Sequence, residues 1–151
     1  MNKYFLIDTG FWIALFFKDD KYHEIAKSVF KKINRGKIVI PWPTLYELLR
    51  TKFVKFPDKL NKLQDIFIKD NFFKIDDEQY KNNALNITFN DNINYRKESS
   101  LVDNLISEML KDINLRIDYL ITFDNRANFN FYCKKRSILL INEFTHSQLL
   151  K

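Results

Sequence analysis

Tyr4-Phe5-Leu6-Ile7 is followed by Asp8-Thr9-Gly10 and then by Phe11-Trp12-Ile13-Ala14-Leu15-Phe16-Phe17. The first four residues are short, apolar and sharply stopped, which predicts a buried strand. The apolar run after the break predicts a short buried helix or turn. The same alternation repeats downstream. Tyr22, Ile25, Ala26, Val29, Phe30 and Ile33 recur at three- and four-residue steps, so residues 21–34 predict an amphipathic helix that Arg35-Gly36 ends. Residues 37–40 predict a second strand. Pro43-Thr44 opens a helix carrying Leu45, Leu48, Leu49 and Phe53 that ends before Pro57. A further helix is expected over 58–68 and a third strand over 72–75. Asp76 or Asp77 then caps a helix to about Phe89, and the Asn-rich stretch 90–98 reads as a loop. Ser99 or Ser100 caps a helix through about Ile113. Residues 118–122 and 137–141 predict a fourth and a fifth strand, with a short Asn-rich helix or loop between them.

Short apolar strands alternating with amphipathic helices predict an α/β fold, with a mostly parallel sheet covered on both faces. The 151 residues suit one domain over 1–151, with no repeat, linker or low-complexity stretch. Two glycines and three prolines are too few for the many tight turns of an all-β sandwich or barrel. A single cysteine, Cys133, excludes a disulfide scaffold and fits a reducing compartment, so the expected location is cytoplasmic. Lys3 and the apolar residues after it imitate a signal peptide, but Asp8 interrupts the run and Lys18-Asp19-Asp20 ends it. No stretch reaches the ~20 residues of a membrane span. A net charge of +6 favours polyanionic partners, although a Lys-rich solvated surface carries the same charge.

Catalytic groups in parallel sheets gather beyond the carboxyl ends of the strands. Four acids fall there: Asp8 after the first strand, Glu47 early in the helix after the second, Asp103 near the start of the helix that Ser99 or Ser100 opens, and Asp124 beyond the fourth strand. Glu47 and Asp103 are each flanked by apolar residues, which places them at the edge of a core. An ionised acid there is costly unless a cation or donors satisfy it. Converging carboxylates raise one another's pKa, and a divalent cation removes that conflict. With oxygen ligands alone the cation is Mg²⁺ or Mn²⁺; two histidines and one cysteine give no credible zinc set. Each acid alone also has an ordinary reading: Asp8 or Asp124 as a helix cap, Glu47 paired with Arg50, Asp103 facing solvent.

Ile7-Asp8-Thr9-Gly10-Phe11-Trp12-Ile13-Ala14-Leu15 resembles the opening of PIN-domain ribonucleases. Pro43-Thr44-Leu45-Tyr46-Glu47-Leu48 resembles the family's second acid segment, Ser100-Leu101-Val102-Asp103-Asn104-Leu105-Ile106 its third, and Leu120-Ile121-Thr122-Phe123-Asp124 its fourth. The match covers essentially the whole chain, and the small single-domain form is most similar to VapC-like toxins of bacterial toxin–antitoxin modules. The resemblance implies a three-layer α/β/α PIN-like fold with a central sheet of about five strands. It implies a metal-dependent endoribonuclease in which Asp8, Glu47 and Asp103 hold Mg²⁺ or Mn²⁺ and Asp124 contributes directly or through a water. The implied partners are an RNA substrate, a cognate antitoxin and a second copy in a homodimer. Two features depart from the family: Gly10 stands where relatives carry Ser or Asn, and no further acid follows within Asn125-Arg126-Ala127-Asn128. A different class of reading is a catalytically silent PIN-like module that binds RNA or protein.

Among the remaining residues, Thr9 suits either a bond to a ligand carboxylate or metal-bound water, or a helix cap. Arg50 reads as a phosphate contact or an ion-pair partner, Arg126 as an RNA contact or a solvated charge. Lys52, Lys55 and Lys59 could rim the site. Trp12, Trp42 and Tyr46 are candidates for base stacking, with core packing the ordinary reading of Trp12. Cys133, His23 and His146 read as structural. Phe67, Phe72 and Phe73 are aromatics that a small core leaves over for a dimer interface.

Overall fold

A computed structural model describes residues 2–125 and 127–150. Five strands form one sheet: β1 (Tyr4–Ile7), β2 (Lys37–Pro41), β3 (Phe72–Ile75), β4 (Tyr119–Ile121) and β5 (Leu139–Ile141). Their order is β3-β2-β1-β4-β5 and every pairing is parallel. Seven α-helices are described: α1 (Thr9–Phe16), α2 (His23–Ile33), α3 (Trp42–Leu48), α4 (Pro57–Phe67), α5 (Lys81–Asn94), α6 (Leu101–Lys111) and α7 (Phe129–Lys135).

The period of two along each strand sorts the side chains into two cores. Phe5 and Ile7 of β1, Ile38 and Ile40 of β2 and Ile121 of β4 face α1 to α4. Leu6, Val39 and Leu120 face α6 and α7. Tyr80, Ala84, Leu105 and Met109 make a smaller cluster between α5 and α6. The result is the expected α/β/α arrangement. Trp12 lies wholly inside the first core, edge-on to Phe67 and within ring contact of Phe30 and Phe72. Gly36 lets the chain turn from α2 into β2 beside the Phe5 ring, which any Cβ at that position would strike.

Three expectations need correction. The helix opened by Pro43 does not run to Pro57: it stops at Leu48, and a 3-10 helix covers Lys52–Lys55. Thr51 makes the break, because its hydroxyl donates to the Leu48 carbonyl at 2.6 Å and accepts from the Phe53 amide. The stretch 90–98 is not all loop, since α5 continues to Asn94. Its asparagines are satisfied along the helix instead of breaking it: Asn94 donates to Asn90, and Asn92 to the carbonyls of Thr88 and Ser99. Finally, Phe67 and Phe72 are not spare aromatics, as both are buried, and only Phe73 of the three is exposed.

Smaller differences lie at element ends. Asp8 starts α1 two residues earlier than read, and Asp76 accepts from Glu78 in a 3-10 turn that leads into α5. Ser100, not Ser99, caps α6. β5 begins at Leu139 and not at Ser137, which adopts a left-handed backbone conformation with φ 56° that is incompatible with a strand. No helix among the described residues is long and apolar enough to cross a membrane.

Candidate active site

In a parallel sheet all strand exits lie on one edge, and the strand order reverses direction between β1 and β4. Asp8 sits at that point. Its backbone amide donates to the Ile121 carbonyl at 3.0 Å, which ties the end of β1 to the end of β4. One carboxylate oxygen accepts from the Thr9 amide at 2.7 Å and so caps α1; the other accepts from the Thr122 hydroxyl at 2.9 Å. Thr122 is buried, and its hydroxyl oxygen also accepts the Asp124 amide at 3.1 Å. One threonine thus fixes two of the four candidate acids relative to each other.

Burial pushes the Asp8 carboxyl up to about 7. The Thr9 and Thr122 hydrogen bonds oppose that rise, while the negative charges of Asp103 and Glu47 add to it. Glu47 projects from α3, and its Oε2 accepts the Thr9 hydroxyl at 2.6 Å. Thr9 therefore holds a candidate ligand carboxylate, and the capping role falls to Asp8. Asp103 lies in the first turn of α6, where the Ser100 hydroxyl accepts its amide at 3.0 Å.

Asp8, Glu47, Asp103 and Asp124 all line one cleft of about 940 Å³. Its described lining holds no histidine or cysteine but three further acids, Asp20, Asp91 and Glu98. Among the described residues no three His, Cys, Asp or Glu side chains stand ready to clasp an ion together. Mg²⁺ does not require that, because it retains several waters and commonly uses one or two carboxylates directly. The donor set fits such a cation: it is all oxygen, and it contains a buried acid made costly to ionise by burial and by two negative neighbours.

Several residues have roles other than the site. Trp12 packs in the core, whereas Trp42 and Tyr46 remain exposed with ring centroids 6.1 Å apart. None of Lys52, Lys55 and Lys59 lines the cleft; Lys52 lies over the Phe17 ring, and Lys59 donates to the Phe16 carbonyl. His23 and His146 bond backbone carbonyls of Ala14 and Glu143. Cys133 is buried, and burial pushes its thiol up to about 12. Arg50 does not pair with Glu47. Arg126 lies outside the described residues. Thr122 falls at a strand exit and within the fourth motif of the sequence, but its role as a hydrogen-bond donor to Asp8 is visible only in the structure. Asp20, Asp91 and Glu98 look like ordinary surface acids in the sequence and were not foreseen at the cleft.

The sequence model of the PIN domain matches residues 5–132. No curated protein sequence matches the chain. Among solved structures, a chain of VapBC2 from Rickettsia felis, crystallised bound to a DNA fragment from the promoter, is similar with a TM-score of 0.55. It is 16% identical, and the alignment covers 92% of this chain and 98% of that one.

Proposed function

This chain belongs to the PIN-domain family, and on that premise we propose that it is a metal-dependent endoribonuclease, the toxin of a toxin–antitoxin module. The observation that carries the reading is the convergence of Asp8, Glu47, Asp103 and Asp124, from four separate segments, on one cleft at the carboxyl edge of the sheet. These four residues would hold Mg²⁺ or Mn²⁺. Such an ion supplies a hydrolytic water of lowered pKa and offsets charge on the phosphate.

The chain's own groups position and orient. Thr122 and the Thr9 amide hold the Asp8 carboxylate from both oxygens, and the Thr9 hydroxyl fixes Glu47. Ser100 anchors the turn that presents Asp103. No side-chain nucleophile is needed, since water attack at phosphorus displaces the ribose oxygen. The substrate is RNA, brought to an acidic cleft by a chain of net charge +6. The partner is a small antitoxin in the cytoplasm, with an amphipathic helix laid on exposed apolar surface and a basic side chain directed at the acids. The active form is a homodimer.

Expression in a bacterium tests the toxin reading. Wild type arrests growth, Asp8→Asn does not, and co-expression of the antitoxin restores growth. If wild type and Asp8→Asn were equally harmless without the antitoxin, the toxin assignment would fall.

A further inference from the structure

A second, smaller cleft of about 340 Å³ adjoins the acidic one. It is lined by Thr9, Glu47, Arg50 and Thr51. Thr9 and Glu47 line both, so the two spaces meet at the Glu47 side chain. The neighbours of Arg50 at the cleft make bonds of their own. A Glu47 carboxylate oxygen is taken by the Thr9 hydroxyl, and the Thr51 hydroxyl by the Leu48 carbonyl. Among the described residues the Arg50 guanidinium has no hydrogen-bond or ion-pair partner.

The other described cations at these clefts differ. Lys97 pairs with Asp91 at 3.7 Å and lies over the Tyr95 ring; Lys21 lies over the Tyr22 ring at 4.7 Å. Arg50 also has a fixed root. Its amide donates to the Glu47 carbonyl at 3.0 Å, and the neighbouring Leu49 and Thr51 amides close onto Leu45 and Leu48. A guanidinium on a defined backbone turn, facing open space beside the proposed ligands, is a planar fork of donors matched to a phosphate.

We infer that Arg50 grips a phosphate of the RNA strand next to the one cleaved, and so positions the strand as it leaves the acidic cleft past Glu47. The inference rests on the ribonuclease reading. Arg50 is a positioning residue: it touches a non-reacting phosphate, and its removal acts on substrate binding more than on the chemical step.

The test measures fluorescence anisotropy of a short fluorescein-labelled single-stranded RNA of mixed sequence, in EDTA and across a salt series. Wild type is compared with Arg50→Ala, Arg50→Gln and Arg50→Lys. Loss of one phosphate contact makes the slope of log K against log salt shallower by about 0.7 and weakens binding about fivefold near 0.1 M salt. Arg50→Ala and Arg50→Gln show both changes, while Arg50→Lys keeps the slope. With Mg²⁺ present, KM rises for Arg50→Ala and kcat changes little. Equal slopes and affinities for wild type and Arg50→Ala would overturn the inference, as would an Arg50→Lys variant that falls as far as Arg50→Ala. If wild type bound no RNA in either EDTA or Mg²⁺, the ribonuclease reading itself would fail, which is a distinct outcome.

Discussion

Asp103→Asn abolishes RNA cleavage, with a loss of about a thousandfold or more, and weakens Mn²⁺ binding while the protein stays folded. The size follows from removing a charged oxygen donor from a site whose cation is asked to supply several kcal/mol of charge stabilisation, each 1.4 kcal/mol being tenfold in rate. The fold survives for two reasons. The Ser100 hydroxyl caps the start of α6 through the Asp103 backbone amide, which the substitution leaves in place, and Asn has nearly the same shape as Asp. The same change withdraws one of the two negative neighbours that raise the Asp8 carboxyl, so the metal-free site becomes less strained electrostatically. Calorimetric titration with Mn²⁺ checks the assignment, and an affinity equal to wild type would remove Asp103 from the ligand set.

Asp8→Asn carries the second large effect, and its sign is opposite to that of most core substitutions. The folded protein holds the Asp8 proton up to about 7, against an ordinary 3.8. The folded state therefore binds that proton more tightly than the unfolded chain. The stability it contributes is fully present below about pH 4 and is lost as pH rises through about 7. The gap between the two values sets an upper bound of about 4 kcal/mol on that loss. Asn carries no charge, can accept from the Thr9 amide and can donate to Thr122 after the hydroxyl turns. In EDTA, wild type then melts at progressively lower temperature from pH 5 to pH 8 relative to Asp8→Asn, and the variant is higher at pH 8 by roughly 5–10 °C. Mg²⁺ raises the wild-type melting temperature at pH 8 and leaves the variant nearly unchanged. A variant that melts at or below wild type at pH 8 would contradict the electrostatic description of the site.

Both effects trace to residues whose positions the sequence marks clearly. Tyr4–Ile7 and Lys37–Pro41 are short apolar runs ended by a polar or proline residue, and burial on both faces leaves such runs little choice but a central parallel strand. Once those strands are set, Asp8 and Glu47 fall at their exits by chain order alone. Asn-rich α5 was harder to read, because asparagine's helix-breaking tendency is local. Here Asn92 and Asn104 spend their amides on Thr88 and Ser99, which lock the end of α5 to the start of α6. The break after α3 was equally hidden, since it depends on which carbonyl the Thr51 hydroxyl takes. Within the site, Thr9 had two readings until the structure gave the capping bond to Asp8 and the Thr9 hydroxyl to Glu47. The bond from Thr122 to Asp8 is not legible in the sequence, because it spans 114 residues and exists only once β1 and β4 are paired.

The acidic cleft is either the seat of a metal-dependent ribonuclease or it is not, and incubation of the purified protein with a structured RNA in Mg²⁺, Mn²⁺ or EDTA, beside Asp8→Asn, decides between them. The account predicts discrete internal cleavage by wild type with either metal, none in EDTA, and none by Asp8→Asn under any condition. Cleavage that persists in EDTA or in Asp8→Asn, or intact RNA in every lane, would contradict it.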